Sequence, residues 1–429
     1  MQKVESQGLL LSSGGLFAGQ VIGMGAAFLS YMAVARLLGA EDFGRFMFLY
    51  AGSAYTAMFF DAGTSVAAGR LLALSHDRAE QQQVVGTWLK LFGILSLAYA
   101  AALLLGAQFV DRLFHFQVER ILGFCAFPAI GLLWQNALRE ILQGLGAHAR
   151  LSIIYVAPWG GFLIGLGALK LAGQVSLLAV CLLLTACFFV TGVVISVTLR
   201  PRLPVERTWN SQLWNETKRF GFHVYLARLF GTGTYQLDTP LIAFFARDPA
   251  SVGFYGLAKG MAAPIALLTS SLGVASYRRF AGSKRLPRET VWWGMLLLLM
   301  ACLGVLLAGR PVVTGLLPKS YAGVLPLLYV WVAVAFIQGS YQLPNLFLSA
   351  QGEGSMIRSM ALWFSAANLI LNFSLIPVWG AMGATIASGG AYLVWLALCI
   401  IYYTRVTRGR VRQLAVDDAG FHRGSTIEP

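Results

Sequence analysis

Residues 174–199 read QVSLLAVCLLLTACFFVTGVVISVTL, twenty-six residues without a charge. A helix rises 1.5 Å per residue, so this stretch reaches about 39 Å, enough to cross about 30 Å of bilayer hydrocarbon. Apolar on every face, it reads as a membrane span rather than one side of a soluble core. Eleven further stretches read the same way, near 11–36, 43–66, 85–108, 120–138, 151–170, 220–246, 252–277, 289–309, 323–348, 357–378 and 380–404. The whole chain of 429 residues is 57% hydrophobic and 12% charged, with mean hydropathy +0.68. Soluble domains run about 45–50% apolar and about 25% charged. The composition therefore excludes a disordered chain, a secreted disulfide scaffold and an ordinary soluble enzyme.

The net charge of +14 does not indicate nucleic acid, because the basic residues cluster in short connections between apolar runs. With the N-terminus inside, 21 Lys and Arg fall on the cytoplasmic side and 8 on the other, while Lys90, Arg228 and Lys259 lie within spans. The asymmetry predicts both termini in the cytoplasm and an even helix count. The N-terminus, with Lys3 and Glu5 before a Gly-rich span, lacks an A-x-A cleavage site and reads as an uncleaved first helix. The connection at 200–219 reads as a linker at the membrane surface. The segment after about Arg405 reads as a disordered tail whose basic part lies near anionic headgroups.

A weak internal repeat divides the chain. Glu41-Asp42-Phe43-Gly44-Arg45-Phe46 opens the second span and Ala250-Ser251-Val252-Gly253-Phe254-Tyr255 the eighth, with glycines 209 apart. Gly146 and Gly354, beyond the fourth and tenth spans, are 208 apart. The expected fold is an all-α integral membrane protein of about twelve transmembrane helices, in two pseudo-symmetric six-helix lobes around a central cavity. The lobes are residues 1–205 and 206–405, followed by a basic and polar cytoplasmic tail at 406–429. Gly15, Gly19 and Gly23, and Gly161 and Gly165, form GxxxG steps suited to close helix packing.

Ionisable groups inside a span are costly and point to function. Arg228 lies about 12 Å from the cytoplasmic end of the seventh span. Asp238, Lys259, Asn372, Thr385 and Ser388 lie at similar depths below the outer surface, and Asn368 and Asn372 share a helix face at i, i+4. Pro240 lacks an N–H, which leaves the Gln236 carbonyl without its usual partner. A carboxylate, amides and a free carbonyl suit Na⁺ or H⁺. The alternative is an Asp238–Lys259 ion pair with asparagines bonding across helices. Arg228 and Lys259 could hold a phosphate or an acidic sugar. Alternatively, Arg228 pairs with a helix C-terminus or another acid. Asp61 reads as a structural pair with Arg70. The five cysteines and five histidines show no metal-ligand spacing, and no phosphate loop or G-x-S-x-G elbow occurs.

At these residues the chain resembles the polysaccharide and oligosaccharide flippases of the multidrug/oligosaccharidyl-lipid/polysaccharide (MOP) superfamily, and the O-antigen (Wzx-type) flippases in particular. The likeness covers about residues 10–405. It rests on ARLLGAEDFGRF, FFDAGTSVAAGR, LREILQGLGAHAR, FGFHVYLARLFGTGTYQLDTPLIAFFARDPASVGFYGLAKGM, LLPKSYAGVLPLLYVWV and NLILNFSLIPVWGAMGATIAS, in that order. The resemblance implies alternating access that turns an undecaprenyl-diphosphate-linked oligosaccharide across the bacterial inner membrane. It implies no enzymatic step and no cofactor beyond a coupling Na⁺ or H⁺. Membrane lipids, and a polysaccharide polymerase and chain-length regulator, are the implied partners. It also implies a sodium site in the second lobe, matched in spacing by Asp238, Asn368, Asn372, Ser388 and the Ala384 carbonyl. Asn372 stands where the related lipid II flippase branch has an acid. Lys259 matches a basic position tied there to the diphosphate, whereas the basic residue of that branch's first helix is absent here. A multidrug exporter of the same fold and a membrane-embedded polysaccharide polymerase are the competing readings.

Overall fold

The computed structural model describes residues 2–75, 77–202, 208–229, 233 and 236–424. In chain order the helices are α1 Gln2–Leu38, α2 Ala40–Asp61, α3 Thr64–Leu74, α4 Arg78–Phe114, α5 Glu119–Cys125, α6 Ile130–Gly144, α7 His148–Leu171, α8 Leu177–Thr198 and α9 Thr208–Glu216. A π turn at Thr217–Gly221 leads into α10 Phe222–Arg228. Then come α11 Asp238–Ala246, α12 Pro249–Ala275, α13 Tyr277–Ala281, α14 Arg288–Leu316, a 3-10 turn at Lys319–Gly323 and α15 Val324–Ala350. The last helical stretch, Gly354–Gly424, breaks at Gly380 into α16 at 354–379 and α17 at 381–424. Among the described residues there is no strand.

Eight helices are long and apolar enough to cross a membrane, and ten if each bent pair counts as one span. The bent pairs are α2 with α3, at 61°, and α5 with α6, at 48°. One of the eight, Gly354–Arg408, supplies two of the expected spans because it folds back at Gly380. Phe364 meets Tyr392, and Ser359 meets the Tyr402 hydroxyl at 3.1 Å. These contacts centre on Gly380, whose φ 54° and ψ −129° suit only a residue without Cβ. The protein is a multi-pass membrane protein. Lipid as solvent accounts for its exposed apolar surface, such as Val190, Val194 and Val197 on α8.

The chain divides into two compact units, Met1–Leu257 with Thr314–Ala322, and Ala258–Val313 with Gly323–Pro429. In the first, α1 packs on α7 through the expected small residues. A Cβ on Gly19 would strike the Ser152 side chain, and one on Gly23 the Tyr155 carbonyl. Residues 208–257 pack within this first unit. Gly63 and Gly221 meet backbone to backbone, and Gly44 meets the Pro249 carbonyl. In the second unit Phe280, Leu343 and Phe347 form a buried cluster, and Tyr341 on α15 stacks on Trp395 of α17. The backbone of α17 stays helical through Gly424, where the sequence reading expects a disordered tail after about Arg405. The reason is local: residues 405–424 hold no proline and many good helix formers.

The repeat recurs in the turns. Gly39 and Arg247, both with positive φ, follow α1 and α11 and are 208 apart. Gly173 and Gly380, both with positive φ, follow α7 and α16 and are 207 apart. α6 and α15 end alike, with Ala147 N donating to Leu142 O and Glu353 N donating to Leu348 O. In each the left-handed residue is a glycine, Gly146 and Gly352, a Schellman stop. The structural counterpart of Gly146 is therefore Gly352, 206 residues on, rather than Gly354.

Candidate functional site

Arg228 ends α10 and points its guanidinium at α6. Its Nη1 donates to Glu140 Oε1 at 2.7 Å. The arginine side chain is 49% exposed and the glutamate side chain 20%. The pair realises the alternative in which Arg228 meets another acid. The sequence reading ends the fourth span at Leu138, which leaves Glu140 in a loop, whereas α6 runs to Gly144. The signal was the Arg139-Glu140 dipeptide in an otherwise apolar run. Arg139 does not share the carboxylate, because its guanidinium lies over the Tyr155 ring at 4.7 Å.

Asp61 ends α2. The backbone breaks immediately after it: Ala62 and Gly63 both have positive φ, 47° and 79°. The break turns Ser65 back so that its N–H and hydroxyl both donate to Asp61 Oδ1, while Trp88 Nε1 donates to Ser65 Oγ at 3.3 Å. The expected Asp61–Arg70 pair is not what forms. The 61° bend carries Arg70 to Glu216, at 2.8 Å, and over the Phe220 ring at 4.5 Å. Glu216 was also missed, since it sits in the stretch read as a surface linker.

Asp238 is fully buried and accepts a hydrogen bond from the Tyr255 hydroxyl at 2.5 Å. It opens α11, with Leu237 as the cap, so its charge faces the positive end of a helix dipole. Pro240 therefore lies in the first turn, where a missing N–H costs no intrahelical bond. The sequence reading set it deeper in a continuous helix. Asp238 belongs to the first unit. Lys259, Asn368, Asn372, Ala384 and Ser388 belong to the second.

In that second unit Lys259 Nζ lies 5.6 Å from the Trp331 ring centroid, a cation–π contact. Asn368 and Asn372, both fully buried, come together as their spacing demands, with Asn372 Nδ2 donating to Asn368 Oδ1 at 3.0 Å. The Asn368 Nδ2 group has no hydrogen-bond partner among the described residues. Turning both amides would present Asn368 Oδ1 at that position instead, an oxygen donor of the kind a hard cation takes. Ala384, Thr385 and Ser388 are likewise fully buried on α17, and Thr385 Oγ1 donates to the Ala381 carbonyl at 3.0 Å. Among the described residues no three His, Cys, Asp or Glu side chains group as a metal site.

Three comparisons place this geometry. The lipid II flippase MurJ in an inward closed conformation gives a TM-score of 0.71 at 11% identity, over 98% of this chain and 94% of that one. An inward-facing multidrug resistance MATE family transporter of the MOP superfamily gives 0.68 at 15% identity, over 89% and 94%. A MOP superfamily transporter from Pyrococcus furiosus gives 0.57 at 14% identity, over 94% and 96%. No curated protein sequence matches the chain. The pattern of the family described as polysaccharide biosynthesis protein matches residues 11–283. Matched over most of its length, the chain belongs to the polysaccharide biosynthesis protein family, in the fold shared by these flippases and transporters.

Proposed function

We propose that the protein is a flippase, not an enzyme, that carries an undecaprenyl-diphosphate-linked oligosaccharide from the inner to the outer leaflet of the bacterial inner membrane. The cargo is an O-antigen or exopolysaccharide repeat unit, and both chain termini are cytoplasmic. The observation that carries this reading is the half-exposed guanidinium of Arg228. Charge inside a span is kept for function, and an arginine fork suits a diphosphate better than a lysine point charge. Family membership supports glycan chemistry for the cargo. Two six-helix lobes enclosing a cavity would provide alternating access. Lys259 is the second substrate group of this reading, with Trp331 holding its ammonium in place. Na⁺ or H⁺ couples transport through Asp238, Asn368, Asn372, Ala384 and Ser388, an all-oxygen set. A polymerase and a chain-length regulator take over the flipped unit.

A clean deletion in a strain without a redundant flippase tests the reading. Undecaprenyl-linked repeat units should accumulate on the cytoplasmic leaflet, and normal surface glycan would overturn it. Arg228→Ala and Lys259→Ala should each impair export at unchanged expression; unchanged export in both would return them to a structural role.

A further inference from the structure

We propose that Glu140 is an internal anion that occupies Arg228 until a diphosphate displaces it. The inference rests on Arg228 as a diphosphate-binding group. Its geometry is that of an exchangeable partner. A single oxygen of Glu140 takes a single guanidinium nitrogen, although a guanidinium offers five N–H donors. Nearly half of the arginine surface stays open, so a second anion can approach the fork before the first leaves. A diphosphate carries more charge than a carboxylate and can engage the fork bidentately.

The two sides of the pair differ in freedom. Glu140 rides on a fixed backbone. A Cβ on Gly69 would strike the Glu140 carbonyl, and one on Gly144 the Gly69 carbonyl, so α3 and α6 touch main chain to main chain. The start of α10 is held as well, where Gly63 meets Gly221 and Phe222 N. Displacement therefore moves the Arg228 side chain, the more exposed of the two. Removing the Glu140 charge removes the internal competitor and leaves the fork open to a diphosphate.

The test uses the full chain in zwitterionic nanodiscs with undecaprenyl diphosphate as probe. Glu140→Gln should tighten binding by about fivefold, the scale of a half-exposed ion pair. Arg228→Ala should weaken it by tenfold or more, and the double variant should match Arg228→Ala. Unchanged or weaker binding in Glu140→Gln, with Arg228→Ala still weak, overturns the exchange and leaves the Arg228 reading standing. Unchanged binding in Arg228→Ala overturns both. If Glu140→Gln fails to fold, Glu140→Asp retracts the carboxylate by one methylene and should tighten binding by a smaller factor; no change there overturns the exchange. Competition by inorganic pyrophosphate but not by phosphatidylglycerol would support a diphosphate as the ligand. Equal competition by phosphatidylglycerol would overturn it in favour of a bilayer headgroup.

Discussion

The same substitution at two glycines of one helix should have opposite effects. Gly44 and Gly52 both lie in α2. A Cβ at Gly52 meets nothing within 4 Å, whereas one at Gly44 would fall on the carbonyl of Pro249, with Ala250 N at 3.1 Å. Gly→Ala in a helix interior gains about 1 kcal/mol, and that gain is common to both sites. The difference between the variants therefore isolates the overlap. Overpacking costs about 1–3 kcal/mol, and here the atoms struck are backbone, which cannot rotate aside, so the upper end applies. About 3 kcal/mol at about 2–4 °C per kcal/mol sets Gly44→Ala about 6–12 °C below Gly52→Ala. Gly253→Ala should fall between them, because its Cβ would meet Phe43 Cδ1 at 2.9 Å and the Gly44 backbone at 3.1 Å, a tight fit rather than a direct overlap with a carbonyl. The assay is the apparent Tm of the three purified variants in one detergent at one scan rate, since unfolding of such proteins is kinetically governed. Gly44→Ala melting within about 2 °C of Gly52→Ala would refute the close contact of α2 with the start of α12.

Three further outcomes follow from the geometry. Gly380→Ala should cost about 1–3 kcal/mol in stability by forcing a Cβ into the turn between α16 and α17, read as lost expression and a lower apparent Tm; a neutral variant would place the reversal elsewhere. An Arg70→Ala, Glu216→Gln double-mutant cycle on thermal stability should give a coupling of about 0.5–1 kcal/mol for this partly exposed pair, and strict additivity would remove it as a tie between α3 and α9. Asp238→Asn should abolish sodium-dependent thermal stabilisation, whereas a wild-type protein indifferent to sodium would count against the whole Asp238, Asn368, Asn372, Ala384 and Ser388 set.

Charge-free runs such as 174–199 carry their own length and polarity, so hydropathy places α7, α8, α12 and α15 within about three residues. Helix breaks are less legible. The reversal at Gly380 was visible because Gly follows Pro377 and Trp379 between two apolar runs. The bend at Ala62–Gly63 was not, because Ala62 adopts its left-handed φ of 47° under tertiary constraint rather than by propensity. That one bend decides which acid Arg70 meets. The site divides along the same line. Asn368 and Asn372 were paired by helical spacing alone, and the structure joins them. Glu140 is 88 residues from Arg228, and no periodicity relates two helices that distant in sequence.

The duplication separates packing from chemistry. Where two copies of a unit share a fold, a residue needed by the fold recurs at the repeat offset. The turn residues do so, at 206–209, and Gly44 and Gly253 meet each other, with Gly44 Cα 3.1 Å from a Cβ built on Gly253. The charged and carboxamide groups do not recur. At the same offsets Asn368 and Asn372 correspond to Phe162 and Leu166, Lys259 to Tyr50, and Glu140 to Leu346. Tyr255 and Asp238 correspond to Phe46 and Ser30. Burial is matched across these pairs: Asn368 and Phe162 are both 0% exposed. A buried position that accepts phenylalanine in one copy has no packing need for a carboxamide in the other, and burying that amide costs free energy unless it is paired. Asn368, whose Nδ2 has no partner among the described residues, is therefore retained against stability, and the asymmetry puts the Asp238, Lys259 and asparagine chemistry on one copy and Glu140 on the other.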